Sequence, residues 1–134
     1  MSAEQRLTYV DSSAIVKLAV AEPESAALRR YLSRRQPLVS SALACVEVVR
    51  ALLPSGLEAV ARGQQVLRRL QLLRLTGQVL DEAGLLEPAE LRSLDVIHLA
   101  SARLLGPSVK QVVTYDKRMA AAAKAIGWSV ASPT

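Results

Sequence analysis

The chain has 134 residues, and its 17 lysines and arginines exceed its 12 aspartates and glutamates, which gives a formal net charge of +5. This length suits one ordinary domain with a real core, so we expect residues 1–134 to form a single domain. The positive charge favours polyanionic partners such as nucleic acid. With three tyrosines, one tryptophan and no phenylalanine, the chain is a poor candidate for binding single strands by aromatic stacking.

Targeting and redox signals are weak. No apolar run approaches the ~20 residues that cross a bilayer, and the first residues are polar, so we expect a cytoplasmic protein without a membrane segment. The single cysteine, Cys45, is flanked by Ala44 and Val46. We therefore expect it to be a small core residue, with no internal disulfide.

The first element of the chain is a short apolar run, Leu7 to Val10, that ends at Asp11 and passes into Ser12, Ser13 and an amphipathic helix. This pattern predicts a strand followed directly by a helix. Asp11 then has two interpretations. It is a preferred residue for capping the helix, and it also lies at the carboxyl end of a strand, where open α/β sheets bind ligands.

The rest of the chain is predicted to alternate between strands and helices. After a helix between Pro23 and Pro37, the sequence predicts strands at 38–40, 75–78, 111–114 and 128–131, and helices at 42–53, 57–74, 79–86, 93–105 and 116–126. Strands that alternate with helices predict a parallel sheet covered on both faces. The expected fold class is α/β, a three-layer α/β/α sandwich with a short parallel sheet.

Four acidic residues stand out by position. Two follow strands directly and two lie early in apolar helices: Asp11, Asp116, Glu47 and Asp95. In a parallel sheet the carboxyl ends of the strands share one edge, so the four carboxylates are expected to converge there. For Glu47 the structural alternative is a surface pair with Arg50, although the apolar residues around it favour a buried carboxylate with a partner.

A cluster of ionised carboxylates must bind a cation or take up protons, because two like charges ~4 Å apart repel by about 4 kcal/mol at an effective dielectric of 20. Oxygen ligands select hard divalent ions such as Mg²⁺ or Mn²⁺. Such ions activate water and stabilise the leaving oxygen in phosphodiester hydrolysis. The four acids therefore predict metal-assisted hydrolysis of a nucleic acid.

Other functional residues have competing interpretations. His98 lies three residues after Asp95 and is either part of a transition-metal site or, as we favour, a hydrogen-bonded core residue. With one histidine and one cysteine, a structural zinc site has too few ligands. The arginines of the second predicted helix form either a solvated face or a phosphate-binding surface.

Four segments carry a family resemblance: YVDSSAIVKL around Asp11, ALACVEVVRAL around Glu47, LRSLDVIHLASA around Asp95, and VVTYDKRMAAAAKAIG around Asp116. Together and in this order, they resemble PIN-domain ribonucleases, and within these the VapC-type toxins of bacterial toxin–antitoxin pairs. Val96 replaces the alanine usual in the third segment, a conservative difference.

The resemblance implies an Mg²⁺- or Mn²⁺-dependent endoribonuclease that acts as a toxin, with Asp11, Glu47, Asp95 and Asp116 as catalytic and metal-binding residues. It also implies that Thr114 and Ser13 support the metal site, and that Arg50 lies near it. A homodimer and a VapB-type antitoxin that covers the acidic pocket are the implied partners, besides RNA.

Two other functions compete with this one. A phosphoacceptor signalling domain also places aspartates at strand ends, but it needs an acidic pair after the first strand, where this chain has Ser12 and Ser13. A non-catalytic, nucleic-acid-binding PIN relative is the other alternative. Such relatives usually lose acidic residues, and here all four are present.

Overall fold

The computed structural model describes residues 6–134. It contains five strands, β1 (Leu7–Val10), β2 (Leu38–Ser41), β3 (Gln71–Leu73), β4 (Val109–Val113) and β5 (Val130–Ala131). Its seven α-helices in this part of the chain are α1 (Ser12–Ala19), α2 (Ser25–Ser33), α3 (Ala44–Leu52), α4 (Leu57–Arg68), α5 (Gly77–Gly84), α6 (Ser93–Leu104) and α7 (Lys117–Ile126). Single turns of 3-10 helix occupy Leu53–Ser55 and Gly106–Ser108.

All strand pairs in the sheet are parallel, in the order β3-β2-β1-β4-β5. β1 is central, and Tyr9 is in register with Val39 of β2 and Val112 of β4. Because the pairs are parallel, the carboxyl ends of β1 and β4 meet at the same edge. Asp11 and Thr114 follow these two ends directly.

The two faces of the sheet bury separate cores, since successive side chains of a strand point to opposite faces. Tyr9 packs with the apolar sides of α5, α6 and α7. Val10, the next residue, packs with those of α1, α2, α3 and α4. The predicted three-layer α/β/α sandwich is confirmed.

Several predicted boundaries are also confirmed by local chemistry. The side chain of Asp11 caps α1 and that of Asp116 caps α7, so each satisfies backbone donors at a helix start. Gly127 ends α7 with a φ of 114°, a left-handed conformation that glycine adopts without steric cost.

The prediction was wrong between residues 57 and 78. The expected long helix at 57–74 ends at Arg68, and the third strand is Gln71–Leu73 rather than 75–78. Thr76 instead caps α5, where its hydroxyl accepts from the amide of Val79. The apolar spacing of residues 57–74 resembles that of one helix, because the short edge strand β3 is defined by its pairing with β2 and not by its own sequence.

Cys45 is another correction, because it is exposed and not in the core. α3 buries Ala44, Val48 and Leu52, which recur every four residues along one side. Cys45 and Val46 fall on the opposite side, and Val46 is 61% exposed. Among residues 6–134, no helix is long and apolar enough to span a bilayer.

Candidate active site

Asp11 lies between β1 and α1 and is only 5% exposed. Its Oδ1 accepts hydrogen bonds from Ser13 Oγ at 2.6 Å and from the Ala14 amide at 3.2 Å, and its Oδ2 accepts from Thr114 Oγ1 at 2.5 Å. Burial raises the pKa of Asp11, and the hydrogen bonds from Ser13 and Thr114 oppose that rise. The carboxylate is both an N-cap and a desolvated acid, so the two sequence interpretations do not exclude each other.

Thr114 links the first and last of the four acids. Its hydroxyl donates to Asp11 and accepts from the backbone amide of Asp116 at 3.0 Å. Asp116 in turn accepts at Oδ1 from the amides of Arg118 and Met119. Thr114 is completely buried, so one hydroxyl fixes the carboxyl end of β1 relative to the start of α7.

Ser13 also lies where the sequence placed it, against Asp11. Its single hydroxyl proton is donated to Asp11, and its oxygen accepts from the amide of Tyr115 at 2.9 Å. The contact of 3.3 Å between Ser13 Oγ and Thr114 Oγ1 therefore lacks a free proton, since Thr114 also donates to Asp11. Both hydroxyls orient the Asp11 carboxylate.

Glu47 reaches this edge from α3 and is held by two donors. Its Oε1 accepts from Ser12 Oγ and from His98 Nε2, each at 2.6 Å. Partial burial raises the pKa of Glu47, but the hydrogen bonds from His98 and Ser12 lower it more, so the net shift is downward. The expected buried partner exists, and it is His98 of α6 rather than Arg50.

His98 is buried, with both ring nitrogens engaged. Nδ1 lies 2.7 Å from the hydroxyl of Tyr9. Because the Glu47 carboxylate accepts at Nε2, that nitrogen carries the proton, and in the neutral ring Nδ1 accepts from Tyr9. His98 is thus the hydrogen-bonded core residue that we favoured, with neither nitrogen free to bind a metal.

Asp95 lies in the first turn of α6 and is partly exposed. Its pKa is raised, first by partial burial and then by the negative charge of Asp116, with a smaller contribution from Asp11. Arg92 and His98 oppose this rise. Asp95, Asp116 and Asp11 therefore share one electrostatic environment at the carboxyl edge of the sheet.

The side chains of this edge supply oxygen donors only, once His98 is committed to Glu47 and Tyr9. In the part of the chain that the structure describes, no group of three or more histidines, cysteines, aspartates or glutamates forms a ready metal site. The metal-binding role of the four acids therefore stays a prediction.

Sequence reasoning missed two residues that complete the hydrogen-bond network, Tyr9 and Ser12. Tyr9 has the pattern of an ordinary inward-facing strand residue, and Ser12 that of a first-turn helix residue. The adjacency of Ser12 to Asp11 was the available signal. What Ser12 contacts, however, lies 35 residues away at Glu47, beyond the reach of local patterns.

Comparison with known proteins agrees with the fold and the motifs. A family model described as PIN domain matches residues 8–125. Ribonuclease VapC46 of Mycobacterium tuberculosis is 58% identical over 126 residues, which cover 94% of this chain and 97% of that protein.

Two solved structures share the fold at 17% sequence identity. The crystal structure of M. tuberculosis VapC20, a sarcin-ricin-loop-cleaving toxin, superposes with a TM-score of 0.74 and covers 94% of this chain and 99% of that chain. A toxin–antitoxin complex from Klebsiella pneumoniae has a TM-score of 0.72 and covers 95% of this chain and 98% of that chain. From the matched domain and the close sequence relative, the chain belongs to the PIN-domain family and, within it, to the VapC ribonucleases.

Proposed function

We propose that this protein is the toxin of a toxin–antitoxin pair, an endoribonuclease that hydrolyses RNA with Mg²⁺ or Mn²⁺ at Asp11, Glu47, Asp95 and Asp116. The observation that carries the proposal is the Thr114 hydroxyl, which donates to Asp11 and accepts from the backbone amide of Asp116, so that two of the four acids lie together at the carboxyl edge of the sheet. Partial burial, and then the negative charges of Asp116 and Asp11, raise the pKa of Asp95 beside them. Mutual repulsion of carboxylates in a partly buried site is relieved when a cation binds. The similarity to Ribonuclease VapC46 supports RNA as the substrate.

The residues fit a hard divalent cation by their chemistry. Carboxylate oxygens are the donors that Mg²⁺ and Mn²⁺ prefer, and Mg²⁺ usually keeps several waters and binds only one or two carboxylates together with substrate phosphate. A site of this type needs no complete cage of protein ligands. When bound, such a cation activates water for attack on phosphorus and neutralises charge on the leaving oxygen.

The chain's own residues fix the acids in place. Ser13 and Thr114 hold both oxygens of Asp11, so its carboxylate plane is set before substrate arrives. Both hydrogen bonds to Glu47 from the described residues go to Oε1, which leaves Oε2 for a cation or a water molecule. The lowered pKa of Glu47 keeps this carboxylate ionised in that role.

The proposal includes partners. A VapB-type antitoxin is supported by the likeness of the fold to a chain of a toxin–antitoxin complex, and by the VapC relative. We further propose a homodimer that acts in the cytoplasm as one domain. The absence of a membrane-spanning helix among residues 6–134 is compatible with this location.

The test is cleavage of a small-RNA pool by metal-stripped protein, with Mg²⁺ or Mn²⁺ added back. We expect cutting only when metal is restored, and a loss of about 10²-fold or more in Asp95→Asn, because a displaced or missing metal ligand commonly costs that much. Asp81→Asn, at an exposed aspartate of α5, is the matched control and should cut normally.

Cleavage that persists in EDTA, or an Asp95→Asn protein as active as Asp81→Asn, would refute the metal-dependent mechanism. Cleavage by neither the wild type nor any variant under either metal would refute the endoribonuclease assignment and favour a nucleic-acid-binding role. Discrete bands would identify the cleaved RNA.

A further inference from the structure

A groove of about 380 Å³ opens beside Asp95, between the start of α6 and the side of α7. Residues of both helices and of the segment before α6 line it, among them Leu91, Arg92, Asp95, Arg118, Ala121 and Ala125. Its volume lies in the range of small-molecule sites. Because Asp95 is one wall, whatever lies in the groove is adjacent to the proposed reaction centre.

Arg92 and Arg118 stand at this groove without carboxylate partners. Both side chains are exposed, and within residues 6–134 neither forms an ion pair. Arg92 is close enough to Asp95 to lower the pKa of that carboxyl group. Two guanidinium groups thus line the groove together with the carboxylates of Glu90 and Asp95, and neither guanidinium is held by these carboxylates in a salt bridge.

The chemistry of the groove fits a nucleotide strand. Guanidinium groups bind phosphate through two parallel hydrogen bonds. Leu91, Ala121 and Ala125 provide a mainly apolar floor of aliphatic side chains against which a ribose or base face can lie. Cationic side chains that follow the backbone are one of the two contacts that proteins make with single-stranded nucleic acids, and in this groove aliphatic side chains stand where such proteins commonly have aromatic ones.

We propose that the groove between α6 and α7 binds the RNA strand next to the scissile phosphate, with Arg92 and Arg118 contacting its backbone phosphates. This inference rests on the proposed function. It adds the path that the substrate takes and two residues that position it.

A larger depression, which shares Ala125 with the groove, has more acidic than basic lining residues, whereas the groove has two of each. The depression measures about 970 Å³ and includes Asp81, Glu82 and Glu87, with Arg103 as its only basic lining residue. Arg103 is paired with Glu82 at 3.7 Å. A phosphate backbone is repelled there, so among these two cavities the groove beside Asp95 is the one suited to RNA.

The first test measures binding without cleavage. A short fluorescent single-stranded RNA is titrated in EDTA at several salt concentrations with the Arg92→Gln/Arg118→Gln protein. We expect roughly tenfold weaker binding, and a salt dependence (slope of log K against log [salt]) reduced by about 0.7 per lost phosphate contact. Arg30→Gln/Arg34→Gln, the α2 variant, removes two exposed positive charges, one in α2 and one directly after it, and is the charge-matched control.

Equal losses in the two double variants would overturn the proposal, because affinity would then follow net charge alone. A larger loss in the α2 variant would overturn it too, and would assign RNA to the α2 arginines. Arg92→Lys/Arg118→Lys keeps both charges and should recover part of the affinity, but not the bidentate contacts.

Glu90 also lines the groove and supplies a test of opposite sign. Its carboxylate repels a phosphate backbone, so Glu90→Gln should tighten RNA binding more than Glu58→Gln, at an exposed glutamate of α4. Ala121→Leu should weaken binding at unchanged charge by filling the floor, with an unchanged melting temperature because Ala121 is exposed. The absence of both effects would contradict RNA in this groove.

The binding experiment is independent of catalysis. If the wild type fails to cut RNA under any metal but the groove variants still lose binding, the proposed function fails and the groove assignment stands. If the wild type cuts RNA normally and the groove variants bind as well as the controls, only the groove assignment fails.

Discussion

His98 Nε2 donates to Glu47 Oε1 across 2.6 Å, and this bond joins α6 to α3 between residues 51 positions apart. The other ring nitrogen of His98 meets Tyr9 of the central strand at 2.7 Å. One buried imidazole therefore connects two helices and the sheet, and it fixes the position of the Glu47 carboxylate at the carboxyl edge of the sheet.

Replacing His98 should lower stability. His98→Leu removes the imidazole that contacts the Tyr9 hydroxyl and the half-buried Glu47 carboxylate. An unsatisfied buried polar group costs about 1–3 kcal/mol. His98→Gln keeps an amide donor and should lose less. Urea unfolding measures both, and an unchanged free energy of unfolding in His98→Leu would contradict the structural role of the bond.

Thr114 offers a cleaner comparison, since its hydroxyl serves both Asp11 and the amide of Asp116. Thr114→Val keeps the shape but removes the hydroxyl, which should destabilise the protein by about 1–3 kcal/mol and reduce cleavage. Thr114→Ser retains the hydroxyl and is the control, with only the loss of a methyl group. Equal urea midpoints and activities for Val and Ser would show that the hydroxyl is dispensable.

Asp95 is expected to reduce stability in the absence of metal, because partial burial, and then the negative charges of Asp116 and Asp11, disfavour its ionised form and raise its pKa. Asp95→Asn should therefore melt at a higher temperature than the wild type in EDTA. Added Mn²⁺ should reverse part of this difference, since a ligand present at 100 times its Kd stabilises by about 2.7 kcal/mol. The melting temperatures of Asp81→Asn should follow the wild type in both conditions.

The difference in stability between the wild type and Asp95→Asn is also expected to depend on pH. The pKa of Asp95 in the folded protein is raised above its ordinary value of 3.8. At a pH between 3.8 and this raised pKa, the folded state therefore holds a proton that the unfolded state has released. The contribution of Asp95 to stability is present below pH 3.8 and is lost as pH rises through the folded pKa.

The stability advantage of Asp95→Asn in EDTA should thus grow as pH rises from about 3.8 and then level off. Urea unfolding at a series of pH values measures the difference between the two proteins. A difference that shrinks with rising pH would mean that the pKa is lowered, and that a cation or a basic group already compensates the charge.

Gly63 tests the packing of α3 against α4. A Cβ at this position would lie 2.5 Å from Leu52 Cδ1 and 3.0 Å from Val48 Cγ1, whereas Gly84 has no atom within 4 Å of the corresponding position. Gly63→Ala should be less stable than Gly84→Ala by about 1–3 kcal/mol, although both gain helix propensity. Thermal unfolding of the two variants measures this, and equal melting temperatures would show that α3 and α4 separate easily.

The parts of the fold that depend on neighbouring residues were predictable. An apolar run predicts the strand β1, and the short polar side chain of Asp11 directly after it predicts the cap of α1. In the same way, Asp116 predicts the start of α7 and Gly127 its end. The alternation of strands and helices was enough to predict the layers and the parallel sheet. The four acids could be singled out for the same reason, because each lies near the end of a strand or in the first turns of a helix, and their role as a metal site stays a prediction.

The tertiary structure decided which groups these residues contact. That β3 is a strand depends on β2 beside it, and that Cys45 is exposed depends on which side of α3 faces α1 and α4. The sequence offered Arg50, three residues away, as a partner for Glu47, whereas in the structure the partner is His98, 51 residues away. Local patterns report backbone preference and burial periodicity, whereas hydrogen bonds between distant side chains form only after packing has brought their helices to the same edge of the sheet.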